Sequence, residues 1–229
     1  MFKEIPNGTL YEIPDNAFGY IYKCWIPPIG YGINAKSGAI QETDILERHE
    51  NDEDCVWVRP TLPSDYNSRR KKEKQVQRLD RDYIDPYLEE IRVREWKRRI
   101  RGIWFYNYNP FKKVVEPIYL TGLQYVYCTY WKFQGKYMDF RVPDMDLFYV
   151  VCYCMFDPDS LGLNELTKRK NGKTARLGCW LYERVSRMAN SHGGLQSKAD
   201  SDAEEVFKKA IRDPWKILPD FYRPRFDTM

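Results

Sequence analysis

Beyond Pro158 the sequence alternates short extended stretches with helical ones, and this alternation narrows the possible folds more than any other feature. Residues 162–166 read as extended, 173–190 as helix, 193–197 as extended and 200–211 as helix. That order predicts βαβα units and a parallel sheet, because parallel neighbours need a crossover between them. Between the first extended stretch and the first helix lies Thr167-Lys168-Arg169-Lys170-Asn171-Gly172-Lys173-Thr174, which ends in Gly-Lys-Thr.

A string of this kind at the mouth of a helix suits phosphate chemistry. A glycine lets backbone amides approach an anion closely, and the helix that follows offers its positive end and free N–H groups. Lys173 can reach β and γ phosphates, and the Thr174 hydroxyl can coordinate Mg²⁺. The first glycine of the usual GxxxxGK[ST] pattern is replaced by Thr167. The residues expected to hold ATP here are Lys168, Arg169, Lys170, Asn171, Gly172, Lys173, Thr174 and Ala175, with Thr174 as metal ligand. A basic surface turn capping a helix is the plainer alternative. The fold class expected is α/β: an incomplete P-loop NTPase-type parallel sheet (βαβα), preceded by a mixed α+β, aromatic-rich N-terminal extension.

The chain divides by character into three expected parts. Residues 1–66 are rich in Gly, Pro and aromatics and predict an irregular, β-containing extension, with short strands near 18–25 and 55–58. Residues 67–143 begin helical and charged. Val76, Leu79, Tyr83, Tyr87, Ile91 and Trp96 form the expected apolar stripe, and Pro86 divides the run into two helices. Ile103–Tyr106 and 118–120 read as β-prone around a turn at 107–110, followed by a helix over 121–131. Residues 144–229 hold the first part of the ATPase domain, opening on a mostly buried helix over 144–155 with Asp144 as N-cap.

The bulk numbers set limits without choosing a function. Of 229 residues, 43% are hydrophobic and 31% charged, which suits a globular chain. Aromatics reach 16%, and Tyr and Trp serve cores, interfaces and base stacking alike. A net charge of +4 permits nucleic-acid binding without requiring it. The six cysteines form no CxxC pair, and neither His49 nor His192 stands at zinc-ligand spacing from them. No secretion leader is read at the start. The longest nearly apolar run, 147–156, falls well short of the ~20 residues a bilayer span needs. Reduced thiols in a cytoplasmic setting follow as the expectation.

At the loop the chain resembles the large terminase subunit of tailed bacteriophages, the motor that drives DNA into an empty capsid. That family's variant loop commonly lacks the first glycine and carries an arginine three residues before GK[ST], the position Arg169 holds. The resemblance continues through His192-Gly193-Gly194-Leu195-Gln196-Ser197-Lys198, the acidic helix from Asp200, and residues 215–224; upstream it takes in 98–106 and 119–125. It implies that Arg169 faces the γ-phosphate and, with Lys173, serves hydrolysis. It also implies that polar residues upstream hold the adenine, Gln124 being one candidate and the pair Arg141 and Asp144 another. A helix-lining role for Gln124 stays open. The implied partners are double-stranded DNA, a portal protein and a small terminase subunit, with no membrane, a homo-oligomer in the full-length form, and the host cytoplasm as the location.

One departure limits the expectation. No apolar strand ending in Asp-Glu follows Thr174, and the family's nuclease domain is not read in these residues. Positioning of metal and water is most of the catalysis in phosphoryl transfer, so weak ATP binding and negligible turnover are expected of this chain alone. Two rival readings are another P-loop NTPase, such as a nucleoside kinase or a helicase, and a non-enzymatic nucleic-acid-binding module built on the basic run from Arg69 to Arg101.

Overall fold

The computed structural model describes residues 8–15, 19–46, 55–109, 111–165, 172–188 and 190–224. Lys168, Arg169, Lys170 and Asn171, with Thr167 before them, lie outside the described residues. The N-terminal region folds as two small hairpins. Strand β1 (Thr9–Asp15) pairs antiparallel with β2 (Tyr20–Ile26), and β3 (Tyr31–Ile33) with β4 (Ile40–Glu42). Asn34 shapes the second turn, its side-chain oxygen accepting from the amides of Lys36 and Ser37. Residues 55–58 form no strand.

Two helices follow, α1 (Tyr66–Val76) and α2 (Pro86–Arg101). Pro86 stands in the first turn of α2, where its missing N–H costs nothing, and the Asp85 carboxylate caps that turn by accepting from the amides of Tyr87 and Leu88. The buried face differs from the expected stripe. Leu79 is 94% exposed and Val76 40%. The residues of α2 that turn inward are Leu88, Ile91, Glu95 and Arg99, at helical spacing but with two charges among them. Those charges are tolerated because each has partners: Glu95 accepts from the hydroxyls of Tyr125 and Tyr130 at 2.5 and 2.9 Å, and Arg99 donates to Glu183 at 2.9 Å.

The hairpin of β5 (Ile103–Asn109) and β6 (Val114–Leu120) leads into α3 (Gly122–Thr129), capped by Thr121, whose hydroxyl accepts from the amide of Gln124. Every residue of α3 is buried, so it behaves as a central rod rather than a one-faced surface helix. After the short pair β7 (Lys132–Phe133) and β8 (Lys136–Tyr137) come α4 (Val142–Phe156) and α5 (Lys173–Arg187). Then α6 (Asp200–Phe207) runs through a π-helical turn (Lys208–Arg212) into α7 (Asp213–Ile217).

One core joins Ile103 and Leu120 of the hairpin, all of central α3, Phe148 and Val151 of α4, Cys179 and Tyr182 of α5, and Leu218 and Tyr222 near the end. Much of the aromatic content is used here. Tyr222 meets Tyr130 edge-on at 5.2 Å and donates to the Glu95 carbonyl, while Tyr182 donates to the Tyr222 carbonyl. Helix α5 is pressed against the π-helical turn at Gly178, where a Cβ would collide with the Ala210 carbonyl.

The parallel sheet expected from the alternation is not found. The described residues are mixed α and β, and the four sheets among them are each two-stranded and antiparallel. Neither 162–165 nor 191–197 forms a strand. An extended segment becomes a strand only where a neighbouring edge takes its N–H and C=O groups, and neither segment meets such an edge among the described residues. The helices were legible from the same pattern because an α-helix satisfies its backbone internally.

Candidate phosphate-binding site

Helix α5 begins on Gly172, which takes the left-handed conformation with φ 78° and ψ 8°. A side chain there costs roughly 1–2 kcal/mol. The Gly172 carbonyl accepts from the amides of Ala175 and Arg176 at 3.0 and 3.2 Å, closing the first turn. Among the described residues no side chain caps this end, which leaves the positive pole of the helix to an approaching anion. Lys173 is exposed and Thr174 half-buried. Ala175 is 2% exposed and its methyl belongs to the core, leaving only its backbone for the start of the helix.

A buried ionic cluster backs the turn. The Nη2 of Arg141 lies 3.1 Å from the place a Cβ on Gly172 would occupy. Arg141 donates to both Asp144 oxygens at 2.8 and 3.0 Å, and Arg176 donates to Asp144 Oδ1 at 2.6 Å while its other nitrogen pairs with Glu165. Asp144 is therefore not the N-cap of α4. Arg141 occupies that position, and the Asp144 carboxylate is drawn away by two guanidinium groups. Burial acts to lower the Arg141 pKa, but the hydrogen bonds and charge of Asp144 outweigh it and hold the pKa above the ordinary value. Burial, with the Asp144 charge beside it, keeps the Tyr127 phenol protonated.

Among the described residues, Lys173, Arg141 and Arg176 set three cations against the two carboxylates Asp144 and Glu165, an excess of one positive charge at the helix start. Both Asp144 oxygens are engaged, so Asp144 serves as a brace rather than as a base. A cavity of about 230 Å³ adjoins the cluster, lined by Lys173, Arg176, Glu165, Leu177 and Trp180 among others. It has room for a group the size of a phosphate or a base, below the ~300 Å³ of pockets that enclose whole drug-sized ligands.

The structure gathers some of the expected residues and leaves others apart. Gly172, Lys173, Thr174 and Ala175 stand together at one helix end. Arg141 and Asp144, considered for adenine, reach the same place but are committed to each other. Gln124 is fully buried on α3, its amide atoms have no partner among the described residues, and it lines neither this cavity nor the larger one at the far end of α5. The helix-lining role accounts for its position, and nothing brings it to Gly172. Arg176 and Glu165 escaped the sequence reading. Arg176 was recoverable, since four residues past Gly172 is about one helical turn. Glu165 carried no signal of its own.

Among the described residues no group of three or more His, Cys, Asp or Glu side chains is arranged to hold a metal ion. No described helix is long and apolar enough to cross a membrane. No family model, curated protein or solved structure matches this chain, so the site stands on its own geometry.

Proposed function

We propose that the loop ending in Gly172-Lys173-Thr174 binds the phosphates of ATP, and that the chain is the ATP-binding front portion of a viral DNA-packaging terminase large subunit. The observation that carries the reading is the left-handed Gly172 opening an uncapped helix, with Lys173 exposed at its first turn. Anions settle at such helix ends because free amides and the helix dipole act together. Lys173 then contacts the outer phosphates, Thr174 offers its hydroxyl to Mg²⁺, and Lys168, Arg169, Lys170 and Asn171 supply the rest of the loop. Arg141 and Arg176 contribute through the field they set behind Gly172.

The support is local, resting on loop, helix and ionic cluster rather than on a sheet. Bound Mg²⁺–ATP supplies the transferable phosphoryl group, and double-stranded DNA, a portal protein and a small terminase subunit complete the proposed motor in the host cytoplasm. The rival in which α1 and α2 grip nucleic-acid phosphates loses ground: Arg70 and Arg92 pair with Glu73, Arg98 with Glu95 and Asp44, and Arg99 with Glu183. Titration with a fluorescent ATP analogue and Mg²⁺ tests the proposal, and binding that survives Lys173→Ala unchanged refutes it.

A further inference from the structure

Toward the opposite end of α5, where Arg187 lies roughly 20 Å from Lys173 at 1.5 Å per residue, is a second cavity of about 390 Å³, which shares the Trp180 wall with the first. Its walls are largely apolar, with Leu123 from α3, Met155 and Phe156 from α4, and Trp180 from α5. Arg187 lines it with a side chain only 8% exposed. Its Nη1 donates to the Arg99 carbonyl at 3.4 Å and stands 3.5 Å from Glu183, but Nε and Nη2 are buried without a hydrogen-bond partner among the described residues. Trp180 Nε1 is likewise buried without an acceptor.

The orphan groups of Arg187 and Trp180 are donors, and the one orphan acceptor beside them, Glu183 Oε1, already stands in an ion pair with Arg99 Nη2 at 2.8 Å. Nε and Nη2 of Arg187 form one edge of the guanidinium fork, whose parallel N–H bonds match the two oxygens of a carboxylate. Glu183 does not fill that role: Arg99 Nε donates to its Oε2 at 2.9 Å and Arg99 Nη2 forms an ion pair with its Oε1 at 2.8 Å, while Arg187 reaches it only through Nη1 at 3.5 Å. Two buried guanidinium groups thus share one carboxylate, and a single further negative charge would balance them. Exposed Lys36 lines the same cavity and marks where it meets solvent; half-buried Arg184 adds a second cation. Burial lowers the Arg187 pKa, and Glu183 does not fully offset this beside Arg99.

We infer that this cavity is a binding site for a small monocarboxylate with an apolar or aromatic body, its carboxylate held side-on by Arg187 and its body packed among Leu123, Met155, Phe156 and Trp180. The apolar lining selects against inorganic phosphate.

Calorimetric titration of the whole chain with phenylacetate, against the uncharged isostere phenylacetamide, tests the inference. One-to-one binding of phenylacetate is expected, with the amide weaker by at least about tenfold, the size of a charge-assisted bidentate contact. Arg187→Lys keeps the charge but loses the fork and should weaken binding by about tenfold. Met155→Trp fills the cavity from α4 and should abolish binding with Arg187 untouched. Lys173→Ala should leave it intact, so the two sites succeed or fail separately. The inference is overturned if phenylacetate does not bind, if the amide binds equally well, if phosphate competes at equal concentration, or if folded Arg187→Lys and Met155→Trp proteins bind as the parent does.

Discussion

At its N-terminal end α5 starts on Gly172 beside Arg141 and Arg176; buried Asp144 holds both guanidinium groups, and half-buried Glu165 also holds Arg176. At its C-terminal end Arg99 and Arg187 share Glu183, and Arg187 keeps two nitrogens without hydrogen-bond partners among the described residues. One helix therefore carries two kinds of positive end. The first is internally balanced apart from Lys173 and the helix pole, which suits a multiply charged ligand that arrives with its own Mg²⁺. The second lacks a single acceptor in an apolar chamber, which suits one carboxylate. The difference lies in how the surrounding acids are distributed rather than in how many arginines are present.

Removing the brace should break the contrast most strongly. Asp144→Ala leaves Arg141 and buried Arg176 without their shared carboxylate, and stranding buried charges this way costs about 3–5 kcal/mol. Urea unfolding should show that loss. Arg187→Gln should change stability by less than about 1 kcal/mol, since among the described residues its guanidinium makes one long hydrogen bond and one ion pair at 3.5 Å. Equal losses in the two variants would erase the distinction between the ends.

Glu73 offers a control away from α5, because Arg70 and Arg92 hold it as Arg141 and Arg176 hold Asp144. Burial opposes ionisation of Glu73, but hydrogen bonds from Arg92, the Asp85 amide and Arg70 win and bring its pKa down from 4.5 to about 2. A depressed carboxylate pKa stabilises the fold above the unfolded-state value and loses that contribution as pH falls through the folded value. Between pH 4.5 and about 2, some 2 kcal/mol should disappear, after discounting for solvent near the arginines. Unfolding of Glu73→Gln across that window should be flatter by this amount.

A smaller stability effect than those at Asp144 and Glu73 belongs to the turn itself. Gly172→Ala forces a Cβ into the left-handed region and against Arg141, for about 1–2 kcal/mol, and should weaken ATP-analogue binding more than it weakens the fold. A loss of stability with binding unchanged would detach Gly172 from the site.

The sequence exposed the parts of the fold that depend on local chemistry. The division at Pro86 and the helix starts near Thr121 and Lys173 were legible because caps, prolines and left-handed glycines act over three or four residues. The parallel sheet was misread because pairing is decided by distant edges, which residues 162–166 and 193–197 do not reveal. The buried charges were hidden for a related reason. Glu95, Arg99, Asp144, Arg176 and Glu183 read as surface in any hydrophobic pattern, yet each is inside because a partner far along the chain meets it. Of the phosphate site, Gly172, Lys173 and Thr174 were legible, while Arg176 and Glu165 emerged only when α4 and α5 came together.

The central claim is that the start of α5 binds nucleotide phosphates, and equilibrium binding of an ATP analogue with Mg²⁺ to the parent chain and to Lys173→Ala tests it most directly. Lys173 is exposed, so its loss should alter stability by no more than about 0.5 kcal/mol. The account predicts saturable binding that weakens at least about tenfold in the variant, the scale of a charge-assisted contact to phosphate. Absence of binding by the parent, or equal affinity in both proteins, would contradict it.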